Sequence, residues 1–121
     1  MNIQTSEIAG NTMLDALGQL MDGGTIELLS DTQRVLAVMK LSNPAAKDAI
    51  GGELEFNRIA EEDAAPAQGT AMTARIMAAN GSEILSCDVG DEGSDAVVKL
   101  NTIKIFRGGP VRLKSFRLVM P

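Results

Sequence analysis

Four carboxylates lie close together in the sequence and form the densest group of side chains that could bind a metal ion. They are Asp88, Asp91, Glu92 and Asp95. Carboxylate oxygens of this kind suit Ca²⁺, which gathers several of them around itself. The spacing does not match the regular calcium-binding loop, and no Glu follows at the distance that closes such a loop. We therefore expect a solvated loop here and keep a calcium-binding or small-ligand-binding module as an alternative function.

Side chains suited to catalysis are few. The sequence contains no His and a single Cys, Cys87, which excludes Cys/His zinc sites, internal disulfides and His-dependent acid–base chemistry. Cys87 has no His to activate it, so we expect an inert apolar group. Glu53 and Glu55 share one side of a predicted strand, but Tyr and Trp are absent and no aromatic platform could hold a sugar. We expect no enzyme and no cofactor.

Charge is distributed unevenly along the chain. Residues 1–95 contain 16 acidic and five basic residues, a net charge of −11, whereas residues 96–121 contain six basic and no acidic residues. Two electrically opposite ends could steer a docking partner or orient identical copies. The same imbalance disfavours nucleic acid as a partner, since most of the surface would repel phosphate and stacking side chains are scarce.

Membrane insertion and secretion are not expected. No segment approaches the ~20 apolar residues that span a bilayer. Residues 1–10 lack the basic and apolar regions of a signal peptide. One unpaired Cys agrees with synthesis in a reducing cytoplasm.

One amphipathic helix is predicted near the start of the chain. Its apolar side chains form one stripe at helical spacing: Met13, Leu17, Leu20 and Met21. Ser6 would cap a longer helix, and Asn11 or Thr12 a shorter one. Gly23 and Gly24 supply the stop. We divide the chain into an N-terminal arm of residues 1–10 and a single domain of residues 11–121.

The remainder of the chain reads as short strands. Period-two or β-branched patterns predict them at residues 25–30, 34–41, 53–59, 70–78, 83–89, 96–106 and 111–120. Asn80-Gly81 predicts a hairpin turn, Gly108-Gly109-Pro110 a second turn, and residues 45–50 a helical turn. The apolar parity changes near Asn101-Thr102, which predicts a bulge or a switch between sheets. The predicted fold is mainly β: an antiparallel β-sandwich or jelly-roll-like barrel with one short N-terminal helix.

Motifs at both ends of the chain resemble a family of small proteins encoded by tailed bacteriophages and prophages. Near the start they are Met13-Leu14-Asp15-Ala16-Leu17 followed by Gly23-Gly24. Near the end they are Leu100-Asn101-Thr102-Ile103, Gly108-Gly109-Pro110, Phe116-Arg117-Leu118 and the final Pro121. In the last hairpin, Arg and Lys stand where the family tends to have Thr, Ser and Ala.

The resemblance implies a virion component, and we expect a cement or decoration protein on the capsid surface. Its expected partners are the major capsid protein and further copies of itself, as a dimer or trimer. The alternative is a tail or head-to-tail connector component. The residues predicted to bind a partner are Asn2, Ile3 and Ile8 of the arm and Lys104, Arg107, Arg112, Lys114 and Arg117 of the basic C-terminal segment.

Overall fold

One helix and nine short strands make up the residues that the computed structural model describes, 6–60 and 64–119. The elements follow in this order: α1 (Glu7–Leu20), β1 (Thr25–Leu29), β2 (Val35–Lys40), β3 (Glu53–Glu55), β4 (Gly69–Thr70), β5 (Thr73–Met77), β6 (Glu83–Asp91), β7 (Val98–Leu100), β8 (Lys104–Ile105) and β9 (Leu113–Val119). The predicted fold class, a mainly β, sandwich-like protein with one short N-terminal helix, is confirmed.

Seven strands form one large sheet in the order β2-β1-β5-β6-β7-β9-β3, and β4 and β8 form a separate two-stranded sheet. All neighbouring strands run antiparallel except β6 and β7, which run parallel. The large sheet is therefore mixed. Three predicted strands differ from the structure. Residues 53–59 pair with β9 only as far as Glu55, and residues 70–78 and 96–106 each divide into two strands that belong to different sheets.

Glycine at position 90 permits the parallel pair. Only residues 92–97 connect β6 to β7, and this connection folds back against the end of β6. A Cβ atom on Gly90 would lie 2.1 Å from Ser94 Oγ, which no real side chain tolerates. The carboxylate of Asp88 accepts a hydrogen bond from the Val97 amide at 3.0 Å and fixes the far end of the connection. A connection this short therefore needs a glycine at position 90, which leaves room for the returning chain, and the Asp88 carboxylate as a nearby hydrogen-bond acceptor.

Ser6 caps α1, so the longer of the two predicted helices is correct. Its hydroxyl oxygen accepts a hydrogen bond from the Ala9 amide at 3.2 Å, and Glu7 lies in the first turn, where a carboxylate complements the helix dipole. Residues 7–10 are therefore helical, and the predicted boundary of the arm at residue 10 is wrong. Residues 1–5 of that arm lie outside the described residues. Gly23 follows the helix with φ of 70°, in agreement with the predicted stop.

The buried side of α1 differs from the predicted apolar stripe. Gly10, Leu14 and Gly18 are the buried residues of the helix, whereas Met13 and Leu20 are 49% and 58% exposed. The reason is close packing against β3. A Cβ atom on Gly18 would lie 3.3 Å from a methyl group of Leu54, so the helix presents its glycine side to the sheet.

Polar side chains of α1 and the turn after it hold residues 45–52. Three oxygens each accept a backbone amide hydrogen bond: Asn11 Oδ1 from Gly52 at 2.8 Å, Asp15 Oδ1 from Ala49 at 2.7 Å and Asp22 Oδ1 from Ala45 at 2.8 Å. The helical turn predicted for residues 45–50 is wrong. Amides of this segment bond to side chains of α1 and of the turn after it and to the backbone of β3 instead of to each other, and the segment joins the sheet through isolated bridges at Ala46 and Ile50.

The chain changes sheets between β7 and β8, as predicted from Asn101-Thr102. Val98 and Leu100 are fully buried in the large sheet, and Ile105 is buried in the small one. Asn101 and Thr102 shape the crossing, since their side-chain oxygens accept hydrogen bonds from the amides of Arg112 and Lys104. The change of apolar parity in the sequence thus marks the residue pair at which the strand leaves its sheet.

Two of the three phenylalanines lie in the core. The rings of Phe56 and Phe116 stack with centroids 4.1 Å apart and an interplanar angle of 12°. Both belong to the one hydrophobic core cluster, whose other members are mainly aliphatic. Phe106, in contrast, is 68% exposed. An exposed aromatic side chain is a candidate contact for a partner, and Phe106 lies at the start of the turn after β8.

Candidate partner-binding surface

The residues predicted to bind a partner fall in different parts of the fold. Asn2 and Ile3 lie outside the described residues. Ile8 is in the first turn of α1 and is 81% exposed. The basic residues are exposed on β8, on the following turn, directly before β9 and along β9: Lys104, Arg107, Arg112, Lys114 and Arg117.

Strand β8 and the residue after it expose a cation and an aromatic ring. Lys104 of β8 and Phe106, which directly follows the strand, are exposed, whereas Ile105 between them is buried. Arg107 follows directly and is also exposed. We call Lys104, Phe106 and Arg107 the tip surface. Aromatic and Arg side chains of this kind supply much of the binding energy at protein–protein interfaces.

Backbone hydrogen bonds hold the turn that carries the tip surface. The Gly108 amide donates to Ala65 O at 2.8 Å, and the Ala65 amide donates to Gly109 O at 2.9 Å. The Gly109 amide donates back to Phe106 O at 2.8 Å, and Gly108 has φ of 81°, which favours glycine. A turn fixed in this way loses little conformational entropy when a partner binds.

The remaining basic side chains differ from the tip surface in their charge environment. Lys114 Nζ lies 3.8 Å from Glu92 Oε1, and Arg117 Nη1 lies 3.0 Å from Glu53 Oε1. Within residues 6–60 and 64–119, no acidic side chain forms an ion pair with Lys104 or Arg107. The positive charge of the tip surface is therefore not neutralised by these neighbours.

The acidic residues at positions 88–95 act on their own loop. The Asp88 carboxylate accepts from the Val97 amide, and Asp91 Oδ1 accepts from the Gly93 amide at 3.1 Å. Glu92 points to Lys114. No group of three or more metal-binding side chains was found among the residues that the structure describes. The arrangement favours a loop shaped by its own carboxylates over a calcium site.

The other chemical candidates are also occupied or shielded. Burial, with a smaller contribution from the Asp88 carboxylate, raises the pKa of the Cys87 thiol from 9.0 to about 12, which disfavours the reactive thiolate. Glu53 pairs with Arg117, and Glu55 pairs with Lys47 at 3.6 Å. Both carboxylates thus form ion pairs with nearby cations and do not face a shared cleft.

A groove of about 550 Å³ runs beside α1. Its apolar lining comes from the helix and from three strands or their neighbours: Leu14, Leu17, Leu85, Val97, Leu118 and Val119. Charged side chains of both signs border it: Glu53, Asp95, Lys99 and Arg117. We call it the helix groove.

No family model, curated protein or solved structure matches this chain. None of the helices within the described ranges is both long and apolar enough to cross a membrane.

Sequence reasoning found the cations of the tip surface and missed its aromatic residue. Phe106 is the last residue of the strand predicted at residues 96–106, and nothing in that pattern marks its side chain as exposed. Its position directly before Arg107-Gly108-Gly109 is the signal that could have placed it at a turn. The helix groove was missed because its residues come from α1, β6, β7 and β9, which no local pattern connects.

Proposed function

We propose that the protein is a structural component of a tailed-bacteriophage virion, a cement protein that binds the outside of the assembled capsid shell as a homo-oligomer. The tip surface is the contact with the major capsid protein. Its partner site is an apolar pocket bordered by carboxylates, which would accept the Phe106 ring and pair with Lys104 and Arg107.

The observation that carries the proposal is the exposed Phe106 ring between two cations on a rigid turn. Contact between an aromatic ring and water is unfavourable, so burying the Phe106 ring against a partner lowers the free energy of the complex. The family resemblance of the terminal motifs supports a phage shell as the place where that partner is found.

The proposed mechanism is stabilisation by mass action. A cement protein that binds the assembled shell better than free capsid subunits shifts the assembly equilibrium towards the shell. The contact must then form only where the shell presents a complete pocket, for example across a boundary between subunits. Charge pairing at the border of the tip surface would speed the encounter and make it sensitive to salt.

Cosedimentation with purified shells tests the proposal. We expect the wild-type protein to sediment with shells of the phage that encodes it and to protect them against heat or denaturant. Phe106→Ala should weaken binding at least about tenfold, as expected for loss of an aromatic anchor. Lys104→Glu combined with Arg107→Glu should weaken binding and reduce its salt dependence.

Matched controls separate the tip surface from general surface changes. Ile50→Ala removes an apolar side chain that is 77% exposed elsewhere, and Lys40→Glu reverses an exposed cation on β2; both should bind shells as the wild type does. Failure of the wild-type protein to bind any shell would overturn the proposal. Copurification with tails or with the neck would favour the connector alternative. Equal binding by the Phe106 variant would exclude the tip surface.

A further inference from the structure

The outer side of α1 carries a second apolar stripe that the fold leaves in water. Met13 and Leu20 are 49% and 58% exposed, and Ala9 and Ala16 lie on the same side of the helix and are also exposed. Helical geometry places Met13 and Leu20 next to Leu17, one turn before and after it. Monomeric soluble proteins rarely leave such continuous apolar surface uncovered.

The stripe continues into the helix groove. Leu17 is half-buried between the exposed stripe and the helix groove, and it lines the groove together with Leu14. On the opposite wall, Leu118 and Val119 belong to β9, and Val119 is 68% exposed. A ridge of apolar side chains thus lies directly beside an apolar depression.

We propose that a second copy of this chain covers this surface, forming a two-fold symmetric dimer. A two-fold axis between the exposed stripe of α1 and the helix groove would place Met13 and Leu20 of each copy in the groove of the other copy. The same contact then occurs twice in the dimer. This inference rests on the proposed function at one point: a cement protein that acts as a homo-oligomer needs a contact between its copies.

Charge favours a second copy over an unrelated partner. The border of the groove carries two acidic and two basic side chains: Glu53, Asp95, Lys99 and Arg117. Glu53 and Arg117 already pair with each other, and Asp95 and Lys99 add one charge of each sign, so the border carries no net charge. It therefore does not repel a rotated copy of itself and offers no net attraction to a strongly acidic or basic partner. A stable interface buries roughly 1,200–2,000 Å² in total, so the proposed contact includes the exposed ridge of α1 as well as the groove.

Sedimentation velocity over a micromolar concentration series tests this contact in solution, without shells. The wild-type protein should show a reversible dimer. Met13→Glu and Leu20→Glu should each weaken dimerisation at least about tenfold, because each would bury an unpaired carboxylate at the contact. Met72→Glu is the matched control, since Met72 is also a methionine that is 49% exposed, on the segment between β4 and β5; this variant should dimerise normally.

Circular dichroism and thermal unfolding of each variant show whether it is folded, which we expect because the substituted side chains are exposed. A wild-type protein that remains monomeric throughout, or a Met13 variant that dimerises as tightly as the Met72 variant, would overturn the inference. A monomer that binds an amphipathic helix from another protein in this groove would also overturn it. Dimerisation without shell binding would leave the inference standing and remove the proposed function, so the two fail separately.

Discussion

Removing the Asp15 carboxylate should release the segment that α1 holds. Asp15 Oδ1 accepts a hydrogen bond from the Ala49 amide at 2.7 Å, and Ala49 is only 8% exposed. In Asp15→Ala the amide would lose its acceptor without gaining full access to water. Asp15→Asn is the matched variant, because its side chain retains an oxygen at the same position but carries no charge.

The expected losses follow from the type of hydrogen bond. A bond to a charged acceptor contributes about 1.5–3 kcal/mol, and a neutral one about 0.5–1.5 kcal/mol. Alanine also has a higher helix propensity than aspartate, which returns up to ~0.7 kcal/mol. Asp15→Ala should therefore lower the free energy of unfolding by about 1–2.5 kcal/mol, and Asp15→Asn by about 1 kcal/mol or less.

Urea unfolding followed by circular dichroism measures both values, and thermal unfolding should show a fall of roughly 3–6 °C for each kcal/mol lost in a domain of this size. Because the same hydrogen bond helps to position α1, the Asp15→Ala variant should also dimerise less well. A free energy of unfolding within ~0.5 kcal/mol of the wild-type value would refute this account. Equal losses in the two variants would show that charge, and not the retained oxygen, is what matters.

Two further predictions concern the sheet. Gly24→Ala should cost at least about 2 kcal/mol, because the new Cβ would lie 1.9 Å from Met77 O, whereas Gly93→Ala, whose nearest contact is 3.7 Å away, should cost little in the same urea assay. Cys87 should react with a thiol reagent at pH 8 about a thousandfold more slowly in the folded protein than after unfolding. Since its raised pKa keeps the folded thiol protonated, its contribution to stability should be complete below pH 9 and lost between pH 9 and about 12, a loss that Cys87→Ser should remove.

The sequence predicted those parts of the fold that depend on neighbouring residues. Alternation and turn residues located the strands, and the parity change at Asn101-Thr102 located the switch between sheets. The Asn80-Gly81 hairpin is also confirmed, with Gly81 at φ of 89°. These signals depend on only a few neighbouring residues, so contacts with distant parts of the chain do not change them.

The parts that failed depend on contacts between distant segments. The apolar pattern predicts a single stripe on α1, but only the close approach of Gly18 to Leu54 shows which side of the helix the sheet covers. The segment 45–52 could not be predicted for the same reason, since its amides bond to Asn11, Asp15 and Asp22. The parallel pairing of β6 and β7 requires a fold-back that no strand pattern indicates.

The two proposed contact surfaces differ in chemistry, and this difference assigns them to different partners. The tip surface combines one aromatic ring with two cations, so a copy of itself would repel it and an acidic pocket would attract it. The helix groove is apolar with a border of both signs, so a copy of itself fits. A dimer joined at the groove would carry two tip surfaces. Once one tip surface has bound a shell, the second binds at a high effective concentration, provided that the spacing of the shell sites matches. Even a weak individual contact could therefore hold the dimer firmly on an ordered lattice. On free subunits, where only one tip surface binds at a time, the same contact would hold it loosely.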